Sequence, residues 1–278
     1  MNYKGYSLRP RMGFGKLMGI IFASAVGLLL LTVLILYLCG VRYISKTTGE
    51  GLNIKFFGVV NSDGSPKRGA IRYSDGTSAT INTETGVLTY SSGDTYTGEL
   101  ENMMKSGKGE LKCDSGDVYT GEFLLDRPHG YGVFVSKEGD RYEGEFKDGK
   151  YDGEGTYTYA DGSTYTGQFT DGKKNGTGTL TYADGSTYPG EFKYDAKDGK
   201  GVMTLPWGDR YEGDFKEDYR SGYGVYTWAN GEVYEGEFKK NVMHGYGKYT
   251  YPGGRVYEGY FENGIIVRTE PEGDGAAA

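Results

Sequence analysis

From about residue 94 onward, polar and apolar positions alternate with a period of two, in short runs broken by clusters of Gly, Asp, Asn and Lys. In Tyr142–Phe146 (YEGEF) the two rings and Gly144 fall on one face, with Glu143 and Glu145 on the other. A polar turn follows at Lys147-Asp148-Gly149-Lys150. A second alternating run then passes through Thr156-Tyr157-Thr158-Tyr159 and ends at Ala160-Asp161-Gly162. Asp-Gly between two alternating runs predicts a hairpin. No helical spacing interrupts these runs after residue 50, so each strand is expected to pair antiparallel with its sequence neighbours. One segment breaks the pattern: Gly19 to Cys39 is uncharged throughout and predicts a single long helix.

The alternating runs are copies of one another. The pentad Tyr-x-Gly-x-Phe/Leu begins at Tyr96, Tyr119, Tyr142, Tyr165, Tyr188, Tyr211, Tyr234 and Tyr257, always 23 residues apart. A Gly-x-Gly recurs in register, from Gly107/Gly109 to Gly245/Gly247, and a further glycine stands three residues before each anchor Tyr. The 49 Gly and 27 Tyr of this 278-residue chain are therefore mostly positional. The turn glycines supply positive φ. The strand glycines leave room for rings from adjacent units to lie across the backbone. At two strands of about 4.8 Å per unit, eight units predict a ribbon on the order of 75 Å long. A single layer has no second sheet to cover it, so its aromatic face is expected to be a groove lined by Tyr and Phe.

This pattern resembles the MORN (membrane occupation and recognition nexus) repeat, with eight anchors in register over roughly residues 94–270. The His-Gly that usually precedes Gly-x-Gly is present only at His129-Gly130 and His244-Gly245. The expected fold is all-β: an elongated single-layer antiparallel sheet of hairpin repeats, a twisted ribbon, plus one N-terminal transmembrane helix. The layout reads as a basic tail (1–18), the transmembrane helix (19–39), a juxtamembrane linker (40–50), degenerate capping hairpins lacking the pentad (51–92), the repeat array (93–270) and a disordered tail (271–278).

At about 1.5 Å per residue, Gly19 to Cys39 reaches roughly 30 Å, the thickness of a bilayer core. A cleaved signal peptide would have a shorter apolar region and small residues at its end, and bulky Leu38 disfavours lipoprotein processing at Cys39. An uncleaved anchor is the expectation. Lys4, Arg9, Arg11 and Lys16 precede it without an acid, so the N-terminus is expected in the cytoplasm and the repeat body on the extracytoplasmic side. Gly19, Ala23 and Gly27 form a stripe of small residues on which two such helices could pair.

Charge and chemistry narrow the function. All 38 acidic residues lie beyond residue 39 and four of the 31 basic ones before it, so the body is more acidic than the chain's net −7. That argues against nucleic acid and against anionic lipid headgroups as partners of the body. Two Cys and two His, the latter in equivalent repeat slots, supply no catalytic or metal constellation, and no cofactor is expected. The acidic column Glu99, Glu122, Glu145, Glu191, Asp214 and Glu237, broken by Gln168, reads as a solvated outer face. The aromatic face varies from unit to unit at Phe134, Tyr157, Tyr159, Tyr182, Met203, Tyr226, Trp228, Tyr249 and Tyr251, which are the candidate partner-binding residues. The resemblance implies a non-catalytic scaffold for protein–protein contacts, self-association included. A cell-surface carbohydrate-binding module using the same tyrosines is the alternative.

Overall fold

The computed structural model describes residues 14–48 and 51–268. The chain divides into two compact units, Met1–Ser92 and Gly93–Ala278. The first holds helix α1 (Phe14–Leu38) and strands β1 (Val41–Thr47), β2 (Asn53–Val60), β3 (Pro66–Tyr73), β4 (Ser78–Asn82) and β5 (Val87–Tyr90). These strands pair antiparallel in sequence order. Residues 40–50, expected to be a linker, thus carry a strand that pairs with β2 from Val41↔Val59 to Thr47↔Asn53. Alternation along Val41–Thr47 places Tyr43 outward, 62% exposed, and leaves no Gly or Pro to stop pairing.

The small core of this unit is Ile54, Phe56, Ile71, Ile81 and Leu88. Residues 51–92 contain a disguised copy of the pentad. Phe56-Phe57-Gly58-Val59-Val60 puts Phe in the tyrosine slot, opposes Gly58 to Gly69, and shifts register between Val59 and Val60. A methyl group on either glycine would stand 2.8 Å from the Phe56 ring.

The second unit contains only strands, from β6 (Thr95–Glu101) and β7 (Met104–Lys112) through β20 (Val256–Glu262) and β21 (Ile265–Arg268) among the described residues. Each pairs antiparallel with the next. The middle of the array, β10 (Arg141–Lys147), β11 (Lys150–Thr158) and β12 (Thr164–Thr170), shows the rule. Tyr142 faces Tyr157 and Gly144 faces Gly155, then the register slips so that Phe146 faces Tyr151. Between those pairs Glu145 alone opposes Asp152, Gly153 and Glu154, so the bulge lies in β11, at Gly153 with its φ of 102°. The same slip recurs in the hairpins that begin at Tyr96, Tyr119, Tyr165, Tyr188, Tyr211 and Tyr234. A two-residue turn with positive φ at both Asp148 and Gly149 joins β10 to β11, the geometry that matches strand twist. The all-β antiparallel expectation is met in both units.

Residues 1–13, part of the expected basic tail, and the expected tail 271–278 lie outside the described residues. Gly19, Ala23 and Gly27 fall on α1, whose side-chain surroundings are described from Ala25 onward. There Leu28, Leu29, Leu30 and Leu31 are more than half exposed. Among the described residues no helix is long and apolar enough to cross a membrane.

Candidate functional site

The anchor tyrosines form a closed seam rather than a groove floor. Tyr96, Tyr142, Tyr165, Tyr188, Tyr211 and Tyr234 are at most 1% exposed, and Phe146, Phe169, Phe192, Phe215 and Phe238, four residues after the last five, are nearly as buried. Each Tyr ring lies across the facing glycines of its own hairpin, whereas the sequence suggested rings reaching over from adjacent units. A methyl group at Gly155 would stand 2.6 Å from the Tyr142 ring. Each hydroxyl then donates to the backbone carbonyl of the residue opposite the bulge, as Tyr142 does to Glu145 at 2.9 Å and Tyr211 to Asp214 at 2.9 Å. Burial first, then nearby carboxylates, pushes the phenols of Tyr96, Tyr165 and Tyr234 up to about 12.

Phenylalanines stitch the units together. Phe146 meets Tyr142 of its own unit edge-on at 5.1 Å and Tyr119 of the preceding unit at 4.9 Å. Phe169, Phe192, Phe215 and Phe238 repeat this double contact. Polar clasps flank the seam. At one border, Asp126, Asp195, Asp218 and Asn241 of the two-residue turns accept the backbone N–H of Lys105, Lys174, Lys197 and Arg220, 21 residues upstream. At the other, Asp94, Asp117, Asp140, Ser163 and Asp209 accept the N–H of a residue 20 downstream. Pro206 has no N–H to offer, and Ser186 is buried opposite it without that clasp.

The candidate partner-binding residues sit on the same face as the buried seam, beside it. Phe134, Tyr157, Tyr159, Tyr182, Met203, Tyr226, Trp228, Tyr249 and Tyr251 are all half-buried. The structure brings several of them into tilted ring contacts: Tyr157 with Tyr159 at 4.6 Å, Tyr226 with Trp228 at 4.5 Å, Trp228 with Tyr249 at 5.4 Å, Tyr249 with Tyr251 at 5.0 Å. Tyr157 donates to Asp140 at 2.9 Å and Tyr226 to Asp209 at 2.8 Å. The backbone N–H of Ala229 holds the Asp209 carboxyl below its usual range. A cavity of about 310 Å³ opens among Met203, Leu205, Asp209, Tyr226, Lys197 and Arg220.

Sequence reasoning missed two features. One is a set of cations on the aromatic face, facing the phenylalanines across the register slip: Lys174 faces Phe169, Lys197 faces Phe192 and Arg220 faces Phe215. The other is an exposed tyrosine row at the centre of Gly-x-Gly, where Tyr131, Tyr223 and Tyr246 donate to Glu143, Glu235 and Glu258 at 2.9–3.0 Å. The acidic column is also more than a solvated face. Glu99, Gln168 and Glu191 accept the N–H of Lys108, Thr177 and Lys200 at 3.0–3.2 Å, closing the bulge from outside. Gln168 does this without a charge. Among the described residues no group of three or more His, Cys, Asp or Glu is placed to hold a metal ion.

The MORN repeat family model matches residues 96–118, 119–141, 142–164, 165–187, 188–210, 211–233 and 234–254, seven consecutive units covering more than half of the chain. The chain belongs to the MORN repeat family. The eighth anchor, Tyr257, lies beyond the matched units and is only half-buried. No curated protein matches the chain. Among solved structures, the wild-type TCP10 domain of Danio rerio CPAP in complex with a peptide of Danio rerio STIL is 14% identical. That match covers 83% of this chain and 100% of that one, with a TM-score of 0.42. A mutant of the same domain gives 11% identity, coverage of 77% and 96%, and a TM-score of 0.35. A streptogramin B lyase gives 12% identity, coverage of 81% and 84%, and a TM-score of 0.17.

Proposed function

We propose that this MORN repeat protein is a non-catalytic scaffold that holds a protein partner on its half-buried aromatic row and is fixed to a membrane by Gly19–Cys39. The observation that carries the reading is the division of labour on one face. Tyr142, Phe146 and their equivalents form a closed seam, while Tyr157, Tyr159, Tyr226, Trp228, Tyr249 and Tyr251 remain half-exposed beside it, in tilted contact with one another and backed by a clasped backbone. Rigid aromatic rings with polar tips bind at small entropic cost and are enriched at interfaces. Membrane attachment rests on the uncharged sequence from Gly19 to Cys39, and pairing of two such helices would run along Gly19, Ala23 and Gly27.

Crosslinking with mass spectrometry in the native membrane tests the scaffold. Crosslinks from Lys174 or Lys197 to a different protein or to a second copy are the expected result; crosslinks within one chain alone would remove the reading. Saturable polysaccharide binding at the same row would replace it with the carbohydrate-binding alternative. Retention of the chain in the membrane pellet after alkaline carbonate washing tests the anchor, and release into the wash would refute it. Cleavage of the repeat body by protease added to intact cells is expected from its extracytoplasmic placement; protection would reverse the orientation.

A further inference from the structure

We propose that the stretch of the aromatic face carrying Lys174, Lys197 and Arg220 is a docking strip for an acidic, proline-rich segment of a partner protein, bound as a polyproline II helix with one carboxylate per repeat. This deepens the scaffold reading and rests on it. The three cations occupy one column in three successive repeats, and aromatic rings hold each of them. Lys174 Nζ lies 5.6–5.8 Å from the rings of Tyr159, Tyr165 and Phe192 and donates to the Tyr159 hydroxyl at 3.1 Å. Lys197 repeats the arrangement with Tyr182, Tyr188 and Phe215, donating to the Tyr182 hydroxyl at 3.1 Å. The Arg220 guanidinium stands 4.8 Å over the Tyr226 ring. All three cations are half-buried and therefore fixed in place. Each hydroxyl that accepts from a lysine keeps its own proton to donate. The strip thus combines positive charge, outward O–H donors and flat rings.

Charge is complementary to an acidic ligand here, on a body that is otherwise acidic. The position two residues before each anchor is Asp94, Asp117, Asp140, Asp209 and Glu232 in five units and Arg255 in the last, but Ser163 and Ser186 in the two that carry Lys174 and Lys197. Carboxylates therefore withdraw from this column along the cationic stretch. Those at its borders are already engaged: Asp140 by Tyr157 and Ala160, Asp209 by Tyr226 and Ala229. On the turn side, Asp195 and Asp218 accept the backbone N–H of Lys174 and Lys197.

Spacing selects the conformation of the ligand. Two strands per repeat place successive cations about 10 Å apart. A polyproline II helix advances about 9.3 Å per three-residue turn and returns every third side chain to the same side, whereas a β-strand would turn alternate ones away. Glutamates at every third position would meet successive cations, and prolines between them would lie on Tyr159, Tyr182 and Tyr226, as such helices do in aromatic grooves.

The test is fluorescence polarisation with the full-length chain in detergent and a labelled peptide of five Glu-Pro-Pro triplets. The peptide should bind saturably, and Lys-Pro-Pro triplets or a peptide of the same composition with its glutamates clustered should bind about tenfold more weakly or worse. The triple variant Lys174→Gln, Lys197→Gln, Arg220→Gln should lose about tenfold as well. Should that variant fail to fold, a salt titration of the unsubstituted chain decides: affinity must fall steeply as salt rises from about 0.05 to 0.5 M, because screening weakens partly exposed charge pairs. Equal binding of the lysine peptide, binding unchanged in the folded triple variant, salt-independent binding, or binding of phosphatidylserine vesicles in place of the peptide each overturns the proposal. Crosslinks to another protein at these lysines without Glu-Pro-Pro binding would overturn it and leave the scaffold reading standing.

Discussion

The hydroxyl of Tyr142 donates to the carbonyl oxygen of Glu145 at 2.9 Å, so a buried ring braces its own strand from the inside at the point where the facing strand bulges. Replacing Tyr142 by Phe keeps the ring and its edge contacts with Phe146 and Phe169 but strands that carbonyl under an apolar surface. The expected loss is about 1–2 kcal/mol, read as a lowered thermal midpoint. A midpoint equal to that of the parent would show that the carbonyl finds another donor.

The glycines facing Tyr142 should not tolerate a side chain. A methyl group at Gly155 would lie 2.6 Å from the ring, and the ring cannot retreat because Phe146 and Phe169 hold it on both sides. Gly155→Ala is expected to cost about 2–4 kcal/mol. Gly162, with φ 89° and open space around it, should lose only about 1 kcal/mol as Ala, the strain of the left-handed backbone alone. A reversed order of the two melts would refute the assignment of Tyr142 and its glycines as the seam.

Glu191 caps the N–H of Lys200 at 3.0 Å, and Gln168 does the same for Thr177 at 3.0 Å. If the column serves the bulge rather than a cation, Glu191→Gln should be close to neutral and Glu191→Ala should lose about 1 kcal/mol. Calorimetric melts with and without millimolar calcium separate the two roles. A calcium-dependent midpoint that disappears in Glu191→Gln would sink the capping account.

How much of this was legible in the sequence follows from the range of each interaction. The 23-residue columns and their hairpins could be read because alternation and turn residues act over a few positions. The bulge could not. Two extra residues between Tyr151 and Gly155 change which groups meet without disturbing the pattern of letters, so Glu145 and its equivalents read as solvated, and Lys174, Lys197 and Arg220 were not placed on the aromatic face. Phe56 is not legible as an anchor because it stands where the other units carry tyrosine. Its ring covers Gly58 and Gly69 equally well, although it has no hydroxyl to donate. Strand β1 was missed for want of a partner: Val41–Thr47 is a strand because β2 pairs with it. The half-exposed residues from Phe134 to Tyr251 could be named from sequence, but not the closed seam beside them, because burial within one layer depends on rings lying flat.

Alkaline pH should destabilise the array. Phenols ordinarily ionise near 10, and burial holds Tyr96, Tyr165 and Tyr234 at about 12 in the folded chain. Between those values the unfolded chain releases protons that the folded chain keeps, so stability falls as pH rises through that window and is insensitive to these groups below it. Thermal melts followed by circular dichroism from pH 8 to 12 should show the midpoint dropping above pH 10. A flat midpoint to pH 12 would contradict the burial of these hydroxyls.

The clasps that tie each repeat to its neighbours reach 20 residues downstream at one border and 21 upstream at the other, and the ring contacts of each Phe join anchors 23 residues apart. Gene duplication or loss in whole units would therefore leave every one of these partnerships intact. Adding or dropping a single codon inside a unit would mismatch both borders and the seam together. The number of repeats is free to vary over evolutionary time, whereas the length of each is not.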